Sequence, residues 1–399
     1  MMSICISQNI DERIYTQLSK LSTKTNADLL ITEYQSFISM FPNSSFQKHA
    51  NFNLAEVYYQ ERKYLRAFAL YLRSSVLYRG YQNETILLKL KSIVENYESR
   101  LLTDKRELIQ NTLAYISTGN LIDDLLKYIH AMDELNSEYF FQDIIQNGRL
   151  FIQLFPQSIN NDVVSSMIAN AYQREGEHTH AILYYSRVHS FFEDSELQDD
   201  ALYNIAKIYQ NDLDKYPEAI KTYSSLIDTF PTSAYAPKSL FHIAEINEKE
   251  LENKFEAIQY YTKMIKQYPQ DSTSVDALFR IASLYDDENS FNQSIPVYKR
   301  IITEYKHSRK APNAQMKLIR IYKKELNDIV NAIREMRFFS ETFPQHEEAA
   351  YYLLEAGDLS LDELKNEDEA LAIYKEVIAN FNGTDYASRA ESRIDDLKR

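Results

Sequence analysis

The segment KYPEAIKTYSSLIDTFP at residues 215–231 returns as KFEAIQYYTKMIKQYP at 254–269. Ala219 aligns with Ala257, Tyr223 with Tyr261, Ile227 with Ile265, Phe230 with Tyr268 and Pro231 with Pro269, each pair 38 positions apart. Self-similarity at a fixed period of this size marks stacked repeats, in which no unit buries its apolar face alone. The junction is an aromatic residue followed by Pro: Phe41-Pro42, Phe155-Pro156, Phe230-Pro231, Tyr268-Pro269 and Phe343-Pro344. Degenerate copies fill the gaps at Tyr78-Arg79, Ser117-Thr118, Phe192-Glu193, Tyr305-Lys306 and Phe381-Asn382, in steps of 37 to 39. About ten phases span the sequence and leave no room for an unrelated domain.

Each period carries two helical patterns. The first reads DALYNIAKIYQ (200–210), KSLFHIAEINE (238–248) and DALFRIASLYD (276–286), with apolar residues at three- and four-residue steps. A small residue recurs at Ala55, Ala169, Ala206, Ala244 and Ala282, where a neighbouring helix can approach closely. The second pattern is the opening segment. Pro217 falls in its first turn, where a missing N–H costs nothing, and Pro231 ends it. The aromatic before the Pro is expected to plug the seam between units.

The order Ala206, Tyr209, Ala219, Tyr223, Pro231 resembles the tetratricopeptide repeat, whose usual length is about 34 residues. The longer period here implies longer helices or extra residues in the turns. The resemblance implies an all-α, right-handed α-solenoid of about ten helix-turn-helix units with a C-terminal capping helix. It divides the chain into a tail at 1–8, repeats 1–4 over 9–156 (3 and 4 degenerate), regular repeats over 157–382 and a cap over 383–399. The cap, TDYASRAESRIDDLKR, carries one apolar stripe of Tyr386, Ala387, Ala390, Ile394 and Leu397. The aromatic–Pro junction with a long period is most similar to bacterial envelope repeat proteins, BamD-like and YbgF-like.

Composition narrows the function. A net charge of −14 argues against nucleic acid and anionic membranes as main partners, since both need a cationic footprint. Six glycines, and neither a Walker-type nor a dinucleotide-type loop, leave no phosphate cradle. Cys5 is the sole cysteine, so no intramolecular disulfide or Cys-based zinc site is expected. His178 and His180 form the only close histidine pair and read as a solvated turn. Acidic clusters at 193–200, 286–289 and 366–370 fall at turns and helix starts, where capping and the helix dipole explain them. The reading is non-catalytic, with no cofactor and no metal. No apolar run is long enough to span a bilayer. Cys5-Ile6-Ser7 has the small-x-small look of a cleaved signal end. The expected compartment is the periplasm or envelope if a hydrophobic leader precedes Met1, and the cytoplasm otherwise.

The working surface is expected on the first helices. Asn170, Tyr203, Asn204, Lys207, Lys238, Phe241, His242 and Arg280 are candidate groove residues for a protein or peptide partner. Some tetratricopeptide cochaperones clamp a terminal carboxylate; the resemblance puts Asn170, Asn204 and Lys238 at clamp positions, whereas Ser166 and His242 stand where a Lys and an Arg are expected. A second candidate is the stretch 306–324, which is rich in Lys and Arg and has no Asp or Glu. Its Lys310, Lys317, Arg320, Lys323 and Lys324 form a candidate docking patch for an acidic partner or another copy of the chain. The leading function is a protein-binding scaffold, with a self-assembling array as the alternative.

Overall fold

The computed structural model describes residues 2–21, 26–96, 105–115, 119–135 and 137–398. Among the described residues the regular structure is wholly helical, in consecutive packed pairs, and the chain has an all-α helical-repeat fold of the solenoid class. Two compact units divide at Lys215 and Tyr216.

The first unit contains α1 (Met2–Leu18), α2 (Ala27–Met40), α3 (Gln47–Gln60), α4 (Tyr64–Leu77), α5 (Asn83–Asn96) and α6 (Arg106–Tyr115). It continues with α7 (Leu121–Leu135), α8 (Phe141–Leu154), α9 (Asn161–Arg174), α10 (His178–Phe191) and α11 (Gln198–Asn211). Residues 2–8, expected as a tail, belong to α1. The degenerate junction at Ser117-Thr118 lies outside the described residues. The other one, Tyr78-Arg79, has a physical reason. Arg79 donates to the Gly119 carbonyl at 2.6 Å and to the fully buried carboxylate of Asp124 on α7. A Pro could not make that tie, and α4 accordingly packs on both α5 and α7.

The second unit contains α12 (Tyr216–Thr229), α13 (Ala236–Glu245), α14 (Lys254–Gln267), α15 (Ser274–Asp287) and α16 (Phe291–Glu304). After these come α17 (Lys310–Arg320), α18 (Ile329–Thr342), α19 (Ala349–Asp362), α20 (Glu367–Asn380) and the cap α21 (Asp385–Leu397). Asn253, Asp328 and Asn366 cap α14, α18 and α20 by accepting from the amide three residues on. Pro217 and Pro237 sit second in α12 and α13, where no backbone donor is needed.

The sequence landmarks form the core. Ala55, Ala169, Ala206, Ala244 and Ala282 are all fully buried, and so are Ala219 and Ala257 of the second helices. The extra length of the period lies in the turns. Helices α14, α15 and α16 have 14 residues each. Seven intra-repeat turns carry one left-handed residue each: Arg62, Gly176, Asp214, Glu252, Asn289, Asn327 and Lys365. The next residue closes the turn in one of two ways. Lys63, Glu177 and Ser290 donate to the carbonyl five back, at 2.9, 2.9 and 2.8 Å. Lys215, Asn253, Asp328 and Asn366 donate to the carbonyl six back, at 2.7, 2.7, 2.7 and 2.9 Å. The wider closure holds one more residue, twice as a π turn, at Ile246–Glu250 and Ile321–Glu325. This is why the seven periods that contain these turns measure 37 residues with the narrower closure and 38 with the wider one.

Junctions are tied as well as packed. Phe41, Phe155 and Phe343 lie 5.3, 5.3 and 5.4 Å from the buried Phe four residues earlier. Tyr268 and Tyr305 donate to the carbonyls of the preceding junction's Pro231 and Pro269, at 2.7 and 3.1 Å. Just before the first helix, a serine hydroxyl accepts from the amide two residues on at Ser44, Ser158, Ser195, Ser233 and Ser308, which shapes each of these turns.

Candidate protein-binding faces

Six second helices bury a tyrosine in the core: Tyr71, Tyr185, Tyr223, Tyr261, Tyr298 and Tyr374 are fully buried. A buried phenol needs a hydrogen-bond partner, and an acid near the end of the paired first helix supplies it in four repeats. Tyr71 donates to Glu56 at 2.5 Å, Tyr261 to Glu248 at 2.9 Å, Tyr298 to Asp286 at 3.0 Å and Tyr374 to Asp358 at 2.8 Å. A cation about one period later grips the same acid. Lys89 reaches Glu56 at 3.1 Å, Arg280 reaches Glu248 at 3.0 Å, Arg320 reaches Asp286 at 3.2 Å and Arg393 reaches Asp358 at 3.1 Å. Burial first, and then the facing carboxylate, push the Tyr261 phenol far above its ordinary value. Burial acts to lower Arg280, but Glu248 outweighs it and the guanidinium is held above its usual range.

These ties run along the first helices, so several candidate groove residues are committed inside the fold. In the first unit, Asn170 accepts from Tyr185. Asn204 donates to the Asp200 carbonyl at 3.0 Å and its carboxylate at 3.1 Å. Lys207 stands 5.8 Å over the half-buried Tyr203 ring. In the second unit, exposed Lys238 lies 5.4 Å over Tyr235. Phe241 packs edge-on against Tyr261 at 5.2 Å, and Arg280 is gripped by Glu248. His242 stacks on Tyr223 at 5.4 Å and places Nδ1 3.3 Å from Glu245. Burial acts to raise Glu245, but hydrogen bonds from His242 and Lys249 outweigh it and hold the carboxyl at about 2.

The basic stretch forms one wall of a cleft of about 590 Å³. Lys317, Arg320, Lys323 and Lys324 line it from α17 and its π continuation, with Phe279 of α15 and Tyr351 and Tyr352 of α19. Arg320 is held by Asp286 and by Glu325 at 3.5 Å, and Lys323 by Glu355. Lys310 stands apart, 3.2 Å from Asp276 and 5.2 Å over the Phe279 ring. Lys317 and Lys324 make no ion pair among the described residues. Burial, then neighbouring carboxylates, push the Tyr352 phenol up to about 12, so it stays a neutral donor. Tyr351 and Tyr352 are absent from the sequence candidates. Tyr351 follows the register 238, 276, 313, 351, so carrying the Lys238 position to the last repeat finds it.

Among the described residues, no three His, Cys, Asp or Glu side chains are placed to hold a metal ion. No helix among them is long and apolar enough to cross a membrane.

The tetratricopeptide-repeat family model matches residues 200–233, 238–271 and 276–308. No curated protein matches the sequence. Among solved structures, a tetratricopeptide repeat protein from Parabacteroides merdae is 14% identical, with 72% of this chain and 97% of that one covered and a TM-score of 0.34. The C-terminal part of a repeat-containing protein from Cytophaga hutchinsonii is 15% identical, covering 66% and 98%, with a TM-score of 0.39. Yeast Tom70 is 11% identical, covering 98% and 96%, with a TM-score of 0.33. The three matched repeats, with the helix pairs and buried Ala–Tyr landmarks described above, make this a protein of the tetratricopeptide-repeat type.

Proposed function

We propose that the chain is a non-catalytic scaffold for other proteins, and that the α15–α17–α19 cleft docks an acidic, aromatic-bearing partner segment. The observation that carries this reading is the pair Lys317 and Lys324, which make no ion pair among the described residues and share a cleft with Tyr351 and Tyr352 in an otherwise acidic protein. Uncompensated cations steer an acidic segment, and the aromatic wall supplies contact area. Of the groove positions, Tyr203, Lys207 and Lys238 are assigned to partner contact. Phe241, His242, Asn170, Asn204 and Arg280 are assigned to holding the presenting helices in place.

The test is fluorescence anisotropy with a labelled peptide of Glu and Phe residues. Binding should weaken with salt, and Lys317→Ala with Lys324→Ala should cost about tenfold, or about 1.4 kcal/mol. Equal affinity for the double variant refutes the assignment. Salt-sensitive oligomers of the free chain in light scattering would favour self-assembly instead. A role in a bacterial envelope complex is part of the proposal and rests on the long period and the aromatic–Pro junctions. Reading the codons upstream of Met1 for a hydrophobic leader tests it.

A further inference from the structure

A second cleft, of about 650 Å³, lies in the first unit between α2, α3, α4 and α8. Its polar side is organised around Arg73. The guanidinium Nε donates to Asn147 at 2.8 Å, and one terminal nitrogen donates to Asn51 at 3.1 Å. Both asparagines are about 1% exposed. Each spends its own amide protons on backbone or neighbouring oxygens: Asn51 on Gln47 and Tyr78, and Asn147 on the Asp143 carbonyl at 2.7 Å. Two buried amides thus aim their oxygens at one cation. Neutral acceptors fix a guanidinium without cancelling its charge, and the remaining N–H groups are left to the cleft.

Arg66 lines the same cleft. It donates to the Tyr139 carbonyl at 2.6 Å and stands 3.7 Å from Asp143. Asp143 also accepts from the buried Tyr128 phenol at 3.3 Å, and burial raises its carboxyl above the usual range. Arg66 and Arg73 therefore face a single acid. Ile38, Leu54 and Leu70 give the cleft its apolar lining, beside Tyr58 and Gln146. A fixed guanidinium together with an apolar lining, in a space of this size, is the make-up of a small-molecule site.

We propose that this cleft binds a small organic anion, whose carboxylate or phosphate head pairs with Arg73 and whose body lies on the Ile38–Leu54–Leu70 wall. The site lies in the first unit and is independent of the cleft assigned to partner docking. Isothermal titration of the intact chain with benzoate, phenyl phosphate, inorganic phosphate and the neutral analogue benzamide tests it. One of the two aryl anions should bind saturably below ~1 mM, and which one does identifies the head group. Benzamide should not bind, and inorganic phosphate should bind at least ~10-fold more weakly than the preferred aryl anion for want of a body. Arg73→Gln should weaken binding by at least ~10-fold. If that variant fails to fold, Gln146→Trp serves instead, because this exposed rim side chain fills the cleft without touching the Arg73 network. It should abolish binding and leave the melting temperature of the free protein unchanged. No saturable binding of either aryl anion, or binding unchanged by Gln146→Trp, overturns the proposal and leaves Arg73 as a tie between α4 and α8.

Discussion

Replacing Gly357 by Ala sets two opposed effects against each other. In a helix interior the change normally gains about 1 kcal/mol, because Gly loses more backbone freedom on folding. At this position an added Cβ would lie 2.6 Å from Cε1 and 2.8 Å from Cδ1 of Tyr374. Carbon atoms prefer about 3.5–4.0 Å, so the ring must retreat by about 1 Å. It has nowhere to go. Tyr374 is fully buried, its hydroxyl is tied to Asp358 at 2.8 Å, and Asp358 is held by Arg393 at 3.1 Å. Overpacking costs about 1–3 kcal/mol, and a strained phenol bond about 1 more. The balance is a local loss of about 1–3 kcal/mol. Hydrogen exchange read by mass spectrometry is the suitable assay, since repeat arrays open locally rather than all at once. Amides of α19 and α20 should exchange about tenfold faster for each 1.4 kcal/mol lost. Gly357→Ala combined with Tyr374→Leu should recover part of that protection, because the smaller side chain clears the overlap. Slower exchange in Gly357→Ala alone would show that helix propensity wins and that the close approach carries no energetic weight.

Glu248→Gln removes the charge that holds both Tyr261 and Arg280, and should cost about 1–2 kcal/mol in urea unfolding, less than a fully buried pair because Arg280 is part-exposed. Adding Arg280→Gln should cost less than the two single losses together; strict additivity would mean the residues do not act as one tie. Glu245 gives a pH signature: its folded value of about 2 lies below the ordinary 4.5, so its contribution is complete above about pH 4.5 and fades as pH falls toward 2. Glu245→Gln should flatten the acid limb of stability in that window, and an unchanged limb would remove the His242 and Lys249 contacts as its cause.

Much of the fold was legible because it follows from spacing. The Ala and Tyr landmarks mark close approach and burial, and both carry a side-chain signal. The junction serines at 44, 158, 195, 233 and 308 carry one too, visible once the junctions are aligned. The left-handed turn residues do not. Arg62, Glu252 and Lys365 are not turn formers, and only the surrounding helices hold them there. The candidate faces were half legible. Register placed Lys317, Arg320 and Tyr203 on first helices, but register does not show whether a cation spends itself on a neighbour. Arg280 and Arg320 do so because an acid on the preceding first helix already holds a buried phenol.

The two ways of closing the intra-repeat turn give the chain a tolerance for length. One residue more or less between the first and second helix changes which carbonyl is capped, five back or six, and leaves the buried Ala and Tyr of each helix where they were. Copying errors of one codon at that place are therefore absorbed within a single loop rather than passed along the array. The same loops are where foreign segments could be spliced in without disturbing how neighbouring units mesh.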